Sequence, residues 1–197
     1  MDKKLILALA IGAAIIWYEN QGSNSDPQDE DLVDSTMTKI DQAAALISGP
    51  GPIADMSMSA AGLRMLRNRE ACYLKAYNLG DGGWTIGWGH YSKSKPDDIT
   101  QDQADAMFAD DVVNRGEKWV KLYVTVDLTQ EQFDALTSIA FNMSPQSFKK
   151  FADSVNAGNG IDDIAQASVG WVDPKFTNGI QNRRNTEMNL FDNGVYS

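Results

Sequence analysis

The chain has 197 residues, of which 43% are hydrophobic and 22% charged, so it can bury one sizeable core and is not expected to be disordered throughout. A net charge of −10 disfavours binding to nucleic acid, whose phosphates repel an acidic surface. One cysteine and one histidine exclude an intrachain disulfide and disfavour a zinc site, so we expect no metal and no other cofactor.

The N-terminus begins with two lysines, which are followed by the uncharged, apolar segment Leu5 to Trp17. This segment is shorter than the roughly 20 apolar residues that span a bilayer. Lysines ahead of a short apolar run are typical of exported proteins, but no small-x-small cleavage site follows. We therefore predict an uncleaved hydrophobic helix over residues 1–20 that contacts a membrane through residues 5–18. A buried core helix is the alternative.

Residues 21–58 predict a polar, acidic linker. The segment is rich in Asp, Ser, Asn and Gly, and Ser48-Gly-Pro-Gly-Pro52 ends any helix that precedes it. Such a composition orders poorly by itself and can act as a tether. We therefore expect a single folded domain over residues 59–197.

The folded domain is predicted to begin with a helix over residues 60–74. Ser59 is a plausible N-cap, and Leu63, Leu66 and Leu74 fall near helical spacing. Glu70 would then lie near the end of this helix. The following residues, 77–90, are rich in Gly and β-forming residues, which predicts a β-hairpin or a small sheet with a Gly-rich turn at residues 80–83.

Five further helices are predicted downstream of the hairpin. Thr100 and Thr129 are candidate N-caps for two of them. The predicted ranges are 101–120, 130–142, 145–158, 160–171 and 179–192. The resulting fold class is α+β, in which a small hairpin sheet faces a helical lobe. A cleft between the two lobes is the expected place for a functional site.

Carboxylates are the natural candidates for chemistry in this chain. Glu70 lies on one expected wall of the cleft, and Asp81 and Thr85 lie in the hairpin opposite. Such a pair suits cleavage of a glycosidic bond, because one carboxyl group protonates the leaving oxygen while a second group activates water or stabilises the cation. Glu70 is the predicted acid and Asp81 the base or electrostatic stabiliser. Thr85 is predicted to orient the attacking water.

Four segments in the same order resemble the phage-type lysozymes, the family of T-even phage lysozyme and the lambdoid endolysins. The first is Glu70-x14-Thr85-Ile-Gly-Trp-Gly-His90, and the second is Leu128-Thr-Gln-x-Gln-Phe-Asp-Ala-Leu-x-Ser-x-Ala-Phe-Asn-Met143. The others are Asn156-Ala-Gly158 with Trp171-Val172, and Asn182-Arg-Arg-x-x-Glu187-x-x-Leu-Phe191. The resemblance covers residues 60–193 and implies a lysozyme-like fold.

One position departs from the family pattern. The second carboxylate of the family usually lies nine residues after the Glu, where this chain has Leu79. Asp81 follows two residues later, and two residues along a strand return to the same face. Asp81 either reaches the site from this shifted register or only solvates a turn. In the second case Glu70 would work alone, as in lytic transglycosylases.

The resemblance implies roles for five more residues. Phe141 and Asn142 match the part of the family that lines the saccharide cleft, with core packing as the alternative. Arg183 or Arg184 is expected to pair with Glu70 and orient it. The family uses the histidine at position 90 structurally.

The resemblance implies an endolysin-type muramidase that hydrolyses the β-1,4 bond between N-acetylmuramic acid and N-acetylglucosamine in peptidoglycan. A lytic transglycosylase and a non-catalytic wall-binding or virion structural protein are the alternatives. We expect a monomer whose partner is bacterial peptidoglycan. Its expected location is the host inner membrane facing the periplasm, the periplasm after release, or a virion membrane.

Overall fold

The computed structural model describes residues 52–78, 80 and 82–196, and this part of the chain has the predicted α+β fold. A three-stranded antiparallel sheet is followed by a set of helices. The elements are α1 (Ala60–Arg67), β1 (Tyr73–Tyr77), β2 (Trp84–Gly87), β3 (His90–Ser92), α2 (Gln101–Asp111), α3 (Lys118–Tyr123), α4 (Gln130–Phe141), α5 (Pro145–Asn156), α6 (Asp162–Val169) and α7 (Thr177–Asn193). A π-helical segment, Val112–Glu117, joins α2 to α3.

The predicted N-terminal helix over residues 1–20, with its membrane-contacting segment, lies outside the described residues. Across the described part of the chain, the helices are too short or too polar to span a bilayer. Most of the predicted linker, residues 21–58, also lies outside the described range. Its last residues do not: Ile53 and Met58 are buried in the folded unit, which therefore includes residues ahead of Ser59.

Three of the helices begin where the sequence predicts, because their first turns are capped. The hydroxyl of Ser59 accepts a hydrogen bond from the backbone N–H of Gly62 at 3.0 Å. Thr100 and Thr129 each form a full capping box with the glutamine three residues later. These bonds satisfy N–H groups that have no partner inside the helix. The later helices lie within about two residues of the predicted ends.

The predicted length of the first helix was wrong. The helix ends at Arg67, and residues up to Glu70 continue only as tight turns, with the N–H of Glu70 bonded to the carbonyl of Arg67 at 3.1 Å. Leu74, taken as a helical position, is an exposed residue of β1. The reason is pairing with β2, which draws residues from Tyr73 onward into the sheet. Glu70 therefore occupies the connection between α1 and β1.

The predicted hairpin is present, and a third strand extends it. The strand order is β1-β2-β3, and β1 carries an irregularity between Tyr73 and Tyr77. Gly80 and Gly82 in the predicted turn have φ angles of 83° and 90°. These angles are costly for residues with a Cβ, which explains the glycines there. The sheet thus brings Thr85 in β2 opposite Tyr77 in β1.

The hydrophobic core surrounds α4, whose residues from Phe133 to Phe141 are all buried. The main cluster packs α4 against α3, α5 and α7. A smaller cluster lies beside α1 and α2 and contains Met58, Leu66, Phe108, Val112 and Phe141. Both clusters include residues of α4, so the same central helix packs against the part of the fold that contains α1 and α2 and against the later helices.

A buried carboxylate on α4 anchors the start of α1. Asp134 is fully buried, and its oxygens accept bonds from the backbone N–H of Ser59 at 3.1 Å and from the hydroxyl of Tyr196 at 2.8 Å. The Ser59 hydroxyl and the Gln130 amide also donate to it. We call these four residues the Asp134 cluster. It connects the first helix, the central helix and the C-terminal end of the described chain.

Stability should depend on pH through Asp134. Burial raises the pKa of Asp134 to about 6, well above the usual range for aspartate, although hydrogen bonds from Ser59, Tyr196 and Gln130 act in the opposite direction. The folded state therefore binds this proton more tightly than the unfolded state, and the stabilisation is complete below the unfolded pKa. As pH rises through 6, we expect wild type to lose roughly 3 kcal/mol relative to Asp134→Asn. Urea unfolding of both proteins at pH 4 and pH 7.5 measures this difference. A pH-independent difference would contradict it.

Candidate functional site

The carboxyl group of Glu70 lies where the sheet meets the helical part of the fold. Its Oε1 accepts a hydrogen bond from Nη1 of Arg183 on α7 at 2.9 Å. Its Oε2 faces the turn between β2 and β3, 3.8 Å from the position that a Cβ on Gly89 would occupy. The Glu70 side chain is 21% exposed, so its carboxyl group is partly shielded from water but remains accessible to a ligand. One oxygen is thus held by a cation while the other faces the sheet.

Four charged residues form a cluster behind Glu70, which we call the arginine cluster: the partly buried Arg69 and Arg183 and the buried Arg184 and Glu187. Glu187 is fully buried and accepts bonds from Nε of Arg183 at 3.2 Å and from Nη1 of Arg184. Arg69 lies 3.7 Å from the same carboxylate. Of the two predicted partners of Glu70, the structure places Arg183 beside it, whereas Arg184 contacts Glu187 and Asn142 instead.

Thr85 lies in β2 directly opposite Tyr77 of β1. Burial is the main cause that raises the pKa of Tyr77, and the charges of Tyr73 and Glu70 add to it. Directly opposed residues of an antiparallel pair have their side chains on the same face of the sheet. The register therefore places the Thr85 and Tyr77 side chains next to each other.

The predicted second carboxylate, Asp81, lies outside the described residues, as does Leu79. Its role as base or stabiliser therefore stays a prediction. The described neighbours of Asp81 are Gly80 and Gly82, whose left-handed backbone is consistent with the predicted turn.

The two residues predicted to bind substrate differ in exposure. Phe141 is 4% exposed and packs in the smaller core cluster, with the guanidinium of Arg115 stacked 4.7 Å from its ring centre. This burial favours the packing alternative for the Phe141 side chain. Asn142, at the C-terminal end of α4, is exposed, and its Oδ1 accepts a bond from Nη2 of Arg184 at 3.1 Å. Contact with a substrate remains a prediction for both residues.

Side chains from α2 and the π-helical segment hold the turn beside Glu70 in place. Nδ1 of His90 lies 3.0 Å from Oδ2 of Asp111, and Arg115 donates to the carbonyl of Gly89 at 3.3 Å. The indole N–H of Trp88 donates to Asp105 at 2.7 Å. The contact between His90 and Asp111 is consistent with the structural role that the resemblance implies for the histidine.

Sequence reasoning missed the positions of Arg69 and Glu187. The early end of α1 turns Arg69 toward Ser138, to whose hydroxyl it donates at 3.3 Å, and a helix continued to residue 74 does not predict this contact. Glu187 was seen only as part of the C-terminal motif. Its signal was an acidic residue three and four positions after two adjacent arginines, a spacing that places the side chains on one helix face.

The described residues contain no group of three His, Cys, Asp or Glu side chains that could hold a metal ion. The chemistry that this arrangement offers is proton transfer. A carboxyl group with one oxygen fixed by Arg183 and the other facing a glycine turn can exchange a proton with an oxygen atom bound against that turn.

A family model described as "Phage lysozyme" matches residues 67–187 of the chain. The match spans the connection that carries Glu70, the whole sheet and the helices up to the C-terminal motif. It therefore includes every residue of the arginine cluster.

Individual proteins are also similar to this chain. The endolysin of Acyrthosiphon pisum secondary endosymbiont phage 1 is 32% identical over 149 residues, which cover 70% of this chain and 99% of that protein. The endolysin of Lactococcus phage c2 is 32% identical over 151 residues, and the chain spans only 63% of its length. The solved structure of an endolysin from Escherichia coli O157:H7 phage FAHEc1 is 30% identical, with a TM-score of 0.59 over 76% of this chain and 99% of that one.

Proposed function

Because the chain belongs to the phage lysozyme family, we propose that it hydrolyses the β-1,4 bond between N-acetylmuramic acid and N-acetylglucosamine in peptidoglycan. The observation that carries the proposal is the placement of Glu70, which lies between Arg183 and the turn that joins β2 to β3. This carboxyl group is partly exposed where the sheet meets the helices, so a polymeric substrate can reach it.

Glu70 acts as the general acid in this proposal. Protonation of the glycosidic oxygen makes the leaving alcohol a better leaving group as the C1–O bond breaks. Arg183 bonds Oε1 and so fixes the orientation of the carboxyl group. Oε2, which faces the β2–β3 turn, is then the oxygen that carries the proton toward the bound sugar.

Thr85 and Asp81 supply the other half of the reaction. The Thr85 hydroxyl, which lies opposite Tyr77 in the sheet, orients the water that attacks C1. Asp81 removes a proton from this water or stabilises the positive charge that develops on the sugar ring. Asn142 is a proposed contact to the saccharide through its exposed side chain. Phe141, whose side chain is buried, is proposed to contribute through the surface near the end of α4.

Two substitutions test the register of the second carboxylate. The family usually has a carboxylate at the position that Leu79 occupies here. If Asp81 takes over its role, Asp81→Asn should lower the lysis rate by about a hundredfold, since the variant loses a charge that stabilises the transition state. Adding Leu79→Asp to that variant should restore part of the rate. Turbidity loss of a suspension of purified cell walls measures both effects. A rate for Asp81→Asn within threefold of wild type would remove Asp81 from the mechanism.

Lytic transglycosylation is a second candidate, favoured by the leucine at position 79. In that reaction Glu70 first protonates the N-acetylglucosamine oxygen as the C1–O bond breaks. The resulting Glu70 carboxylate then takes the proton of the N-acetylmuramic acid 6-hydroxyl as that oxygen bonds to C1, and a 1,6-anhydro ring forms. This reaction needs no activated water. The two candidates therefore differ in the end groups of their products.

Release of soluble fragments from purified peptidoglycan tests the proposed activity directly. An enzyme of this kind lowers the turbidity of the suspension and releases soluble saccharides over time. A wall-binding or structural protein would sediment with the peptidoglycan and release nothing. The second result would overturn the proposal.

The biological role that fits this activity is lysis of a host cell or penetration of its wall. The similar proteins carry the name endolysin, and the proposed substrate lies outside the cytoplasm, so we place the activity in the periplasm or at the wall. Anchoring through residues 5–18 stays a prediction. Fractionation of infected cells and of virions, followed by detection of the full chain, tests the location.

A further inference from the structure

Glu187 is a buried carboxylate that the proposed reaction does not use. It is 0% exposed, and four side chains from three parts of the chain meet it. Arg183 and Arg184 reach it from α7, Arg69 reaches it from the connection after α1, and the Ser138 hydroxyl on α4 donates to it at 2.6 Å. Both oxygens of this carboxylate therefore accept hydrogen bonds from side chains.

The three arginines of the arginine cluster are unevenly shared between Glu187 and Glu70. All three arginines lie within ion-pair distance of Glu187, whereas only Arg183 is bonded to Glu70. Burial is the main cause that lowers the pKa of Arg69, and the charges of Arg183 and Arg184 lower it further, while Glu187 opposes the shift. Positive charge is thus crowded here, and Glu187 is the buried group that offsets it.

Arg183 carries the effect of Glu187 to Glu70. Its Nε donates to Glu187, its Nη2 donates to the backbone carbonyl of Ser138 at 3.3 Å, and its Nη1 donates to Glu70. Because the guanidinium group is rigid and planar, fixing two of its nitrogens determines where the third one points. The position of the N–H that meets Glu70 is therefore set from the far side of the arginine.

We propose that Glu187 is a positioning residue for Glu70: its buried charge aims Arg183 and offsets the arginines, which keeps Glu70 able to hold the proton that it donates. The inference rests on the proposed function, since it concerns the same proton. Without Glu187, three arginines would act on Glu70 with less opposition and would favour its ionised form.

The sign of the effect follows from the charges that face Glu70. These are Arg183 on α7 and Arg69 beside it in the chain, together with the phenol of Tyr77 on β1. Removing the negative charge of Glu187 leaves this surrounding more positive. A general acid is active only while protonated, so activity should be lost at lower pH than in wild type.

Glu187→Gln tests the proposal, because it keeps the size of the side chain and one acceptor oxygen but removes the charge. The lysis rate of purified peptidoglycan is measured from pH 4 to pH 9. We expect the alkaline limb of the profile to move down by about one pH unit, which lowers the rate about tenfold above that limb. The matched control is Asp134→Asn, which also neutralises a fully buried carboxylate of the same core, but one whose partners are Ser59, Gln130 and Tyr196.

The control separates positioning from stability. Asp134→Asn should leave the alkaline limb where it is in wild type. A Glu187→Gln profile with lower amplitude but an unmoved limb would overturn the proposal, as would a limb that moves up. If Glu187→Gln does not fold, Arg184→Gln decides the matter, because removing a positive charge should move the limb to higher pH and an unmoved limb contradicts the inference.

The proposal can fail while the proposed function stands. If wild type lyses peptidoglycan and needs Glu70, but neither variant moves the alkaline limb, only the role of Glu187 is lost. If wild type releases no soluble fragments, the function itself is lost.

Discussion

Glu70→Gln is expected to lower the initial rate of peptidoglycan lysis by at least about a hundredfold. The amide has nearly the same shape as the carboxyl group, and its oxygen can still accept the bond from Arg183, but it cannot donate a proton to a leaving oxygen. The rate is measured as turbidity loss of purified cell walls. Thermal unfolding of the variant shows that the fold is retained.

A matched control is available in Glu131, a half-buried glutamate in the first turn of α4. Glu131→Gln makes the same chemical change away from the Arg183 contact, and its lysis rate should stay within twofold or so of wild type. If Glu70→Gln retained a rate similar to that of Glu131→Gln, Glu70 would not be the acid.

Gly62→Ala is expected to lower the free energy of unfolding by about 3 kcal/mol, the second large effect. A Cβ at this position in α1 would lie 2.5 Å from Oδ2 and 2.7 Å from Cγ of Asp134, and 3.0 Å from Met58. Asp134 is fully buried and bonded to Ser59 and Tyr196, so it cannot move without breaking those bonds. Urea unfolding measures the change.

Gly179 provides the matched control for that substitution. It is an exposed glycine near the start of α7, and a Cβ added there meets nothing within 4 Å. Gly179→Ala should stabilise the protein by roughly 0.5 kcal/mol, since alanine favours the helix more than glycine does. Equal effects of the two substitutions would show that the contact with Asp134 is not tight.

The helices could be predicted from the sequence where their signals are local. Ser59, Thr100 and Thr129 lie directly before apolar patterns of helical spacing, and each caps its helix as predicted. The glycine-rich turn before Trp84 marked the hairpin for the same reason. Caps and turns depend on residues three or four positions away, which a sequence shows directly.

The end of α1 could not be predicted in this way. Leu74 continues the helical spacing of Leu63 and Leu66, but pairing of β1 with β2 overrides that pattern. Tyr73 pairs with Gly87 and Tyr77 with Thr85, which lie farther along the chain than the three or four positions that helical spacing compares, and the register of β1 is irregular as well. Local periodicity therefore extended the helix too far.

Some residues of the candidate site have a local signal in the sequence, and others do not. The spacing from Glu70 to Thr85 pointed to both residues, and the structure places Glu70 beside the turn that follows β2, the strand that carries Thr85. The contact between Glu70 and Arg183 joins residues 113 positions apart, so only the resemblance to a family could suggest it. The buried position of Glu187 has no local signal beyond its spacing from the two arginines.

The chemical nature of the newly formed chain ends tests the central claim most directly. Peptidoglycan is digested by the protein in water enriched in ¹⁸O, and the released saccharides are analysed by mass spectrometry. A muramidase leaves N-acetylmuramic acid at each new reducing end with one ¹⁸O atom at C1, because water attacks that carbon. Fragments that end in 1,6-anhydro-N-acetylmuramic acid without the label would contradict hydrolysis, and labelled N-acetylglucosamine ends would contradict the proposed bond.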